Sequence, residues 1–305
     1  MKLDTPRRGY KSIIAVIMAA VIVICAVVIL GDFSPHGSFT LTVLFTGDLH
    51  GNMEVMPYYQ TIINQAQRDS QVLLLDCGDL FEGGANQEKG GQSEAVVLSA
   101  MKYDAMTLGN NEFWCTENTY DACDAKLEAL SKSVTFPLLC ANVKKNGEYL
   151  PGVKPYTIVN KGGLKIAIIG LTTDKMNNNE VENKTISDPV VTLEQINAEL
   201  EGVVDVKIVL SHCEQEQNEA FKSVHAVIAG HIHEPTAEIK ADTQYKSSIP
   251  VVRAGGKKNG NLGKLMLELK ENDDGSWGVE NYSFELLPPK GLPDQKILSI
   301  VSGIK

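Results

Sequence analysis

The strongest constraint on the fold is the alternation of short apolar runs with longer amphipathic stretches, which begins at residue 41. Apolar runs separated by helix-length segments are typical of strands joined by helices in an α/β domain. The candidate strands are residues 41–46, 72–76, 104–108, 136–141, 165–171, 207–211, 226–230, 251–255 and 264–269. The pattern therefore predicts an α/β fold with many strands.

Apolar residues also recur at helical spacing between the candidate strands. Two such stripes are predicted to face a core: Val55, Tyr59, Ile62, Ile63 and Ala66, and Ala95, Leu98 and Met101. The Gly-rich segment 82–91 lacks the strand–loop–helix spacing of a phosphate-binding loop, so it is interpreted as a loop. Residues 288–305 begin with two prolines and then show helical spacing, which indicates a short helix that packs on the domain. The alternative for this tail is a helix that binds a partner.

Residues 12–30 carry no charged side chain, and a helix rising about 1.5 Å per residue would span most of a bilayer core of about 30 Å. No Ala-x-Ala pattern follows, which favours an uncleaved anchor over a signal peptide. Lys and Arg precede the segment, and the positive-inside rule then places residues 1–11 in the cytoplasm. The sequence thus predicts a single-pass protein of the cell membrane with an extracytoplasmic domain. Its divisions are a stub, transmembrane anchor and tether (1–40), a catalytic domain (41–287) and a C-terminal tail (288–305).

The formal net charge of −10 makes nucleic acid a poor partner, because binding a polyanion relies on clustered Lys and Arg. Small anionic substrates are not excluded by this charge. A bound metal ion supplies local positive charge whatever the net charge of the protein is.

Side chains of the metal-ligating type follow five of the candidate strands, at the point where each strand ends. Open α/β sheets bind their ligands at the carboxyl ends of strands. Two pairs of these residues are spaced two apart, so that in an extended chain both side chains of a pair point the same way. The candidate ligands are Asp48, His50, Asp79, Asn110, His212, His231 and His233. Carboxylate, imidazole and amide groups suit Zn, Mn, Fe or Mg rather than a soft thiolate site.

Each piece of this pattern is weak alone, because an isolated Asp-x-His is usually a turn and a lone His is usually a core or surface residue. Five ligand-bearing strand ends in one chain, each beside Gly or Ser, form a much stronger signal. His225 precedes its strand and is predicted to be structural. Glu82 and Glu112 lie near the site in sequence and are interpreted as residues that hold loops by hydrogen bonds.

Five ordered blocks within about residues 41–270 read GDLHG, DCGDLFEGG, KYDAMTLGNNEF, SH and GHIHE. They resemble the calcineurin-like metallophosphoesterases, and within them the N-terminal domain of the 5′-nucleotidase family. The resemblance implies a four-layer αββα sandwich that binds two divalent metal ions, from among Zn, Mn, Fe, Co and Mg. It implies one metal on Asp48, His50, Asp79 and His233, and a second on Asp79, Asn110, His212 and His231. Asp79 would bridge the two.

The same resemblance implies a hydrolase of small phosphate esters or anhydrides, of the kind that takes part in nucleotide catabolism, with a metal-bridging hydroxide as nucleophile. The family's C-terminal domain, which grips the nucleoside, has no counterpart after residue 287. The substrate class is therefore kept broad.

One block departs from the family pattern GNHEFD, in which the Asp orients a His that assists the leaving group or the phosphate. Here it reads GNNEFW, so Asn111 replaces the catalytic His and Trp114 replaces the Asp. General acid assistance typically contributes about 10²–10⁴-fold in rate. Two interpretations stay open: an enzyme for substrates with good leaving groups, or a metal-binding pseudoenzyme or extracytoplasmic interaction protein with little hydrolase activity.

Apart from Cys25, which lies within the uncharged segment 12–30, the cysteines divide into two groups. Cys77, Cys140 and Cys213 lie in or beside apolar runs and are predicted to be buried small hydrophobes. Cys115 and Cys123 flank a polar loop and could pair in an oxidising exterior, which the sequence leaves open.

Overall fold

The computed structural model describes residues 37–81, 91–115, 119–176, 181, 183–240, 249–257 and 260–304. The strands are β1 (Ser38–Thr46), β2 (Val72–Asp76), β3 (Ala105–Thr107), β4 (Leu138–Leu139), β5 (Val143–Lys145), β6 (Glu148–Tyr149), β7 (Val153–Lys154), β8 (Tyr156–Lys161), β9 (Leu164–Thr172), β10 (Thr185–Ile186), β11 (Val206–His212), β12 (Ala226–Ala229), β13 (Val251–Val252), β14 (Leu262–Glu271) and β15 (Trp277–Leu287). The α-helices are α1 (Met56–Asp69), α2 (Gln92–Met101), α3 (Tyr120–Ser133), α4 (Pro189–Glu199), α5 (Gln215–Ala220) and α6 (Gln295–Gly303). Short 3₁₀ helices span Met53–Val55 and Asn111–Phe113.

Two main sheets form the centre of the molecule. The first has the strand order β15-β14-β1-β2-β3-β4-β7, and the second has the order β13-β12-β11-β9-β8. β1, β2, β3 and β4 run parallel to one another, as do β9, β11, β12 and β13, whereas β14 and β8 pair antiparallel with β1 and β9. The carboxyl ends of the parallel strands in each sheet therefore lie at one edge of that sheet.

Three hydrophobic clusters give the order of the layers. One lies between the two sheets and includes Phe45, Leu75, Ile208 and Phe284. The second packs the first sheet against α1, α2, α3 and α6, and the third packs the second sheet against α4 and the segments on either side of α5. The fold is a mixed α/β sandwich in which helices cover the outer face of each sheet.

The sequence predicted the central strands well and missed several at the edges. β2 matches its predicted range, and β1, β9, β11 and β14 extend or shift theirs by a few residues. β15 was not predicted, although it is 11 residues long. A reason is visible in its pairing with β14, where a register shift between Glu268 and Leu269 interrupts the regular alternation of inward and outward side chains.

The tail forms α6, which packs on the domain as predicted. Its Ile297 and Val301 are buried among core residues of the same cluster as α1. Asp294 caps the helix by accepting a hydrogen bond from the backbone N–H of Ile297 at 3.0 Å.

The predicted transmembrane segment, residues 12–30, lies outside the described residues. Within the described residues, no helix combines the length and apolar character that crossing a membrane requires.

Candidate metal centre

The loops that follow β1, β2, β3, β11 and β12 meet at one edge of the sandwich. The backbone N–H of Asp48 donates to the carbonyl of Gly78 at 2.9 Å, and that of His50 donates to the carbonyl of Asp79 at 3.0 Å. The two sheets are joined here as well, because the backbone N–H of His231 donates to Asp48 Oδ1 at 3.0 Å. The fold therefore brings all the candidate ligands to one place.

The local geometry that achieves this differs from the expected one. Residues two apart were expected to share one side of an extended chain, but Asp48, His50, Asp79 and His231 have φ values of 52°, 45°, 54° and 69°. Non-glycine residues rarely adopt this left-handed region. The backbone strain costs of the order of 1–3 kcal/mol at each such residue, so it persists only where the surrounding structure holds the residue in place. Sharp turns after β1, β2 and β12 therefore help to bring the ligands together.

His50 and His233, here called the outer pair, lie on the solvent side of the site. Their Nε2 atoms are 3.2 Å apart, and His233 Nε2 is 3.4 Å from Asp48 Oδ1. The side chain of His233 is 46% exposed and that of His50 is 12% exposed. The ligand atoms of Asp48 and the outer pair all lie within 4.8 Å of one another, which is close enough for one metal ion.

Asp79 and His212, here called the inner pair, are buried. His212 Nδ1 donates to the carbonyl of Cys77 at 2.7 Å, which turns Nε2 toward the carboxylates. That Nε2 is 3.3 Å from Asp79 Oδ2 and 4.0 Å from Asp48 Oδ1. The ligand atoms of these three residues also lie within 4.8 Å of one another.

Asp48 belongs to both groups of ligand atoms, and Asp79 approaches both as well. His50 Nε2 lies 3.9 Å from Asp79 Oδ2, so this carboxylate faces the outer pair in addition to His212. A carboxylate between two clusters of ligands is the geometry that a bridging ligand needs.

The charges of the inner pair stabilise one another. Burial raises the pKa of the Asp79 carboxyl and is the largest single influence, but the charge and hydrogen bond of His212, the Asn111 backbone N–H and the charge of His50 together outweigh it and lower this pKa. Burial lowers the pKa of His212 and is the largest single influence, but the charge and hydrogen bond of Asp79, the charge of Asp48 and the Cys77 carbonyl together outweigh it and raise this pKa. The fold thus places positive charge between buried carboxylates, at a position where a bound cation would replace the proton.

Two residues beside Asp79 hold its loop in place. Glu112 is buried and accepts backbone hydrogen bonds from Asp79, Leu80 and Gly109 at 2.9, 2.9 and 2.6 Å. The predicted loop-holding role of Glu112 is therefore what the structure shows. Gly109 allows the close approach, because a Cβ at this position would collide with the Asp79 carboxylate and lie 2.8 Å from His212 Cε1.

Asn110 and Asn111 follow β3 and play different parts. The Asn111 backbone N–H donates to Asp79 Oδ1 at 3.0 Å, and its side-chain Nδ2 donates to Asp79 Oδ2 at 2.7 Å. Asn110 Nδ2 donates to Asn111 Oδ1 at 3.1 Å, which leaves Asn110 Oδ1 as the available ligand atom. Asn111 is therefore a hydrogen-bond partner of the candidate bridging carboxylate.

His231 lies beside the inner pair, and its ring centroid is 5.0 Å from that of His212. Its Nε2 is 3.2 Å from Glu214 Oε1. Sequence reasoning missed Glu214, because a polar residue at the start of a short helix gives no sign of a contact with His231. Burial lowers the pKa of His231, which favours the neutral imidazole that metal binding requires.

The donor set fits a pair of divalent cations. Within the described residues, Asn110 Oδ1 is buried without a hydrogen-bond partner, and His212 Nε2 makes no aligned hydrogen bond although it lies 3.3 Å from Asp79 Oδ2. Buried polar atoms are normally satisfied, so Asn110 Oδ1 in particular needs a partner. Both are atoms that the sequence assigned to the second metal, and an amide oxygen and an imidazole nitrogen are suitable ligands for such an ion.

The disulfide that the sequence left open is present, and it joins Cys115 to Cys123 at the start of α3. Beside it, the carbonyl of Trp114 accepts a hydrogen bond from Lys126 Nζ, which also lies 5.1 Å from the centre of the indole ring. Cys77, Cys140 and Cys213 are buried free thiols, as predicted.

His225 lies at the other end of the strands, away from the candidate ligands. Its Nδ1 accepts from the backbone N–H of Lys207 at 3.0 Å and its Nε2 donates to the carbonyl of Trp277 at 2.8 Å, so its predicted structural role holds. A cavity of about 720 Å³ beside it is lined by none of the candidate ligands. Glu82 lies outside the described residues.

Comparison with known proteins gives an independent view of this site. Residues 41–235 match the family model described as calcineurin-like phosphoesterase. The chain is 32% identical over 232 residues to a 5′-nucleotidase of Vibrio cholerae, which covers 68% of this chain and 40% of that protein. It is 34% identical over 160 residues to a snake venom 5′-nucleotidase of Naja atra, which covers 45% of this chain and 29% of that protein.

Among solved structures, the chain is similar to a 5′-nucleotidase precursor of Thermus thermophilus, with a TM-score of 0.69 and 21% identity. The similarity covers 87% of this chain and 58% of that one. A sulfate thiohydrolase, SoxB, of the same genus gives a TM-score of 0.67 with 14% identity. These two likenesses show the fold. The chain spans well under two thirds of the length of each of these proteins.

Proposed function

The chain belongs to the calcineurin-like phosphoesterase family, and on that premise we propose that it is a metal-dependent hydrolase of small phosphate esters or anhydrides. The observation that carries this proposal is the convergence of two ligand clusters that share Asp48, beside the buried and unpartnered Asn110 Oδ1. An ion pair between Asp79 and His212 would leave this amide oxygen without a partner. A bound cation would satisfy it.

The division of the residues between the two proposed ions is the one that the resemblance implies. One ion would be held by Asp48, His50, Asp79 and His233, and the other by Asp79, Asn110, His212 and His231. When bound, the ions lower the pKa of a water toward neutrality and neutralise charge on the phosphoryl oxygens.

The protein's own residues fix the geometry of this reaction. Glu112 and Asn111 hold the Asp79 loop and carboxylate, and the Cys77 carbonyl fixes the ring of His212. The outer pair borders solvent, so a phosphate group approaches from the side of His233. Pre-positioned ligands of this kind contribute to catalysis because no reorganisation is required when charge develops.

Asn111 restricts the substrates that this site can process. An amide carries no titratable proton at neutral pH, and the Asn111 side chain is already bonded to Asp79 Oδ2 at 2.7 Å. The leaving group must then depart without a proton from this position. Phosphoanhydrides and activated esters meet this condition. The 5′-nucleotidase relatives suggest nucleotides as the substrate class, and among these the nucleotides that contain an anhydride meet it.

The same hydrogen bond supports a second candidate function. If Asn111 serves only to fix the candidate bridging carboxylate, the protein binds metal ions without efficient hydrolysis. It would then be an extracytoplasmic metal-binding or interaction protein.

We further propose that residues 12–30 anchor the protein in the cell membrane with its domain outside the cytoplasm. The uncharged segment and the basic residues before it support this orientation. The Cys115–Cys123 disulfide agrees with it, since disulfides persist in oxidising compartments. A reporter active only outside the cytoplasm, fused after residue 286, should be active and remain with membranes. Soluble protein that begins near residue 31 would mean a cleaved signal peptide.

The deciding experiment is a substrate panel on the chain of residues 1–305 purified in detergent and loaded with Mn, Zn or Co. The panel contains p-nitrophenyl phosphate, bis-p-nitrophenyl phosphate, nucleoside mono-, di- and triphosphates, and nucleotide sugars. Turnover should exceed that of free metal, be abolished by a chelator, and favour anhydrides and aryl esters. Two bound metal ions without turnover of any substrate would overturn the hydrolase and leave the metal-binding protein.

A further inference from the structure

Glu214 lies two residues after His212, at a position to which no role has been assigned. Its Oε1 is 3.2 Å from His231 Nε2 and 3.8 Å from Lys175 Nζ. The side chains of Glu214 and His231 are both about one quarter exposed, at 24% and 26%. A carboxylate therefore sits directly behind one of the candidate ligands of the second metal.

The chemistry of this contact fixes which nitrogen of His231 carries the proton. An ionised carboxylate has no hydrogen to donate, so His231 Nε2 must be the donor. In a neutral imidazole the other nitrogen, Nδ1, then holds the free lone pair. His212 shows the reverse arrangement, since its Nδ1 donates to the Cys77 carbonyl and its Nε2 faces the carboxylates.

Glu214 is itself held in place by the helix that follows it. It is the N-cap of α5, where its side chain accepts from the backbone of Gln217 and its backbone N–H donates to Gln217 Oε1 at 3.2 Å. This reciprocal pair is a capping box. The orientation of the carboxylate toward His231 is thus set by the start of a helix, and does not depend on a bound ion.

We propose that Glu214 is a positioning residue that orients His231 so that Nδ1, and not Nε2, faces the second metal position. Carboxylates that accept a hydrogen bond from the far nitrogen of a metal-bound imidazole fix its tautomer and strengthen it as a ligand. The inference rests on the proposed function only in that the site holds metal. The affinity at the second metal position then depends on α5, which lies outside the loops that carry the ligands.

The experiment is a titration of the metal-free chain of residues 1–305 with Mn²⁺, followed by calorimetry, for the wild type, four single variants and the double variant that combines Glu214→Ala with His231→Ala. Glu214→Ala removes both the cap and the contact with His231. Gln217→Ala is the matched control, because it removes the side-chain half of the capping box that does not touch His231. Glu214→Gln retains an acceptor at the same place, and His231→Ala removes the ligand itself.

Glu214→Ala should weaken the second Mn²⁺ by about 10–100-fold and leave the first within about threefold, in line with other outer-shell partners. Gln217→Ala should leave both affinities within about threefold. Glu214→Gln should retain most of the affinity, because its amide oxygen can still accept from Nε2. Adding Glu214→Ala to His231→Ala should cause no further loss, since residues that act through one contact are not additive.

A second readout is independent of affinity. Nitrogen-15 spectra of the imidazoles report the tautomer, and His231 should carry its proton on Nε2 in the wild type and in Gln217→Ala, but not uniformly in Glu214→Ala. Thermal melts of each variant show whether it is folded, and Glu214→Gln provides the comparison if Glu214→Ala is not.

Three results would overturn the proposal: wild-type affinity in Glu214→Ala, equal losses in Glu214→Ala and Gln217→Ala, or additive losses with His231→Ala. The last would mean that Glu214 binds the ion directly. None of these depends on turnover, so a protein that binds two Mn²⁺ and hydrolyses nothing would refute the proposed hydrolase while leaving the role of Glu214 intact.

Discussion

The inner and outer pairs of candidate ligands are held by different means. Asp79 and His212 are buried, and hydrogen bonds to the Asn111 backbone and the Cys77 carbonyl fix them. His50 and His233 lie toward solvent, with their Nε2 atoms 3.2 Å from each other. The comparison indicates that the inner pair is part of the folded core, whereas the outer pair is ordered mainly for binding. Substitutions in the outer pair should therefore reduce metal affinity with little change in stability, whereas substitutions in the inner pair should reduce both.

The largest effect is expected for Asp79→Ala, which tests whether the two metal positions share a ligand. This carboxylate faces both pairs, so its loss should reduce the bound metal from two equivalents to less than one and abolish turnover. Elemental analysis after dialysis measures the stoichiometry. Asp121→Ala, an exposed aspartate on α3, is the control. Two equivalents of metal in Asp79→Ala would show that the carboxylate does not bridge.

The next effect is the difference between His212→Ala and His233→Ala. Each should lose one of the two ions. His212→Ala should also destabilise the metal-free protein by about 1–3 kcal/mol, because a buried carbonyl loses its partner and two buried carboxylates lose their countercharge. His233→Ala should change the free energy of unfolding by less than about 0.5 kcal/mol. Denaturant titrations in chelator measure both values, and equal destabilisation would erase the distinction between the pairs.

A smaller effect is expected where Asn111 meets the inner pair. Asn111→His with Trp114→Asp should restore a proton carrier and the carboxylate that orients it. Turnover of alkyl phosphomonoesters should rise by about 10–100-fold, with less gain for aryl esters. Trp114→Asp would lie close to Lys126, so the new charge has a cation near it. This contact reduces the cost of introducing a carboxylate there.

The matched control for this pair is Asn111→His with Trp114→Phe, which supplies the imidazole without the carboxylate. The gain should depend on both substitutions together, as it does for residues that act as one unit. A folded double variant that binds two metal ions and shows no gain with alkyl esters would mean that Asn111 and Trp114 do not stand in for the missing dyad.

The smallest effect on the site concerns Asp76, at the end of the strand that leads to the inner pair. Burial, together with the negative charge of Asp48, raises the pKa of this carboxyl to about 6, despite hydrogen bonds from Thr46 and Gly78. The native state therefore favours the protonated form. The free energy of unfolding should fall as the pH rises from about 4, where the unfolded group titrates, to about 6, and level off above that.

Asp76→Asn removes this titration and retains an acceptor for the Gly78 backbone N–H. Relative to the wild type, the metal-free variant should gain stability above pH 6 and none below pH 4. The gain should be no more than about 3 kcal/mol, since one pKa unit corresponds to about 1.4 kcal/mol. Denaturant titrations at pH 4, 5, 6 and 7.5 measure it, and a constant difference across this range would contradict the raised pKa.

The sequence allowed the fold and the identity of the candidate ligands to be predicted, but not their geometry. The strands that precede Asp48, Asp79 and His212 are almost continuously apolar, which is the pattern of strands buried on both faces. The spacing of His231 and His233 was interpreted as two side chains on one side of an extended strand. In the structure His231 lies beside His212, whereas His233 contacts His50, because φ is positive at His231.

Other features could not be predicted because they depend on contacts distant in sequence. Glu214 meets His231 across two strands of the second sheet, and nothing in the local pattern around residue 214 indicates that contact. For Asn111, the sequence indicated only that this side chain cannot carry a proton as the family's His does. Its hydrogen bonds to Asp79, 32 residues earlier in the chain, are visible only in three dimensions.

The positive φ values at Asp48, His50, Asp79 and His231 have a consequence for attempts to redesign this protein. Glycine would relieve backbone strain of the order of 1 kcal/mol or more at each of these positions, but at Asp48 and Asp79 it would also remove a buried carboxylate that pairs with His212. A sequence optimised only for thermal stability would therefore tend to replace His50 and His231, whose side chains are partly exposed, and would erase two of the candidate ligands. Selection for stability alone does not account for non-glycine side chains at these strained positions.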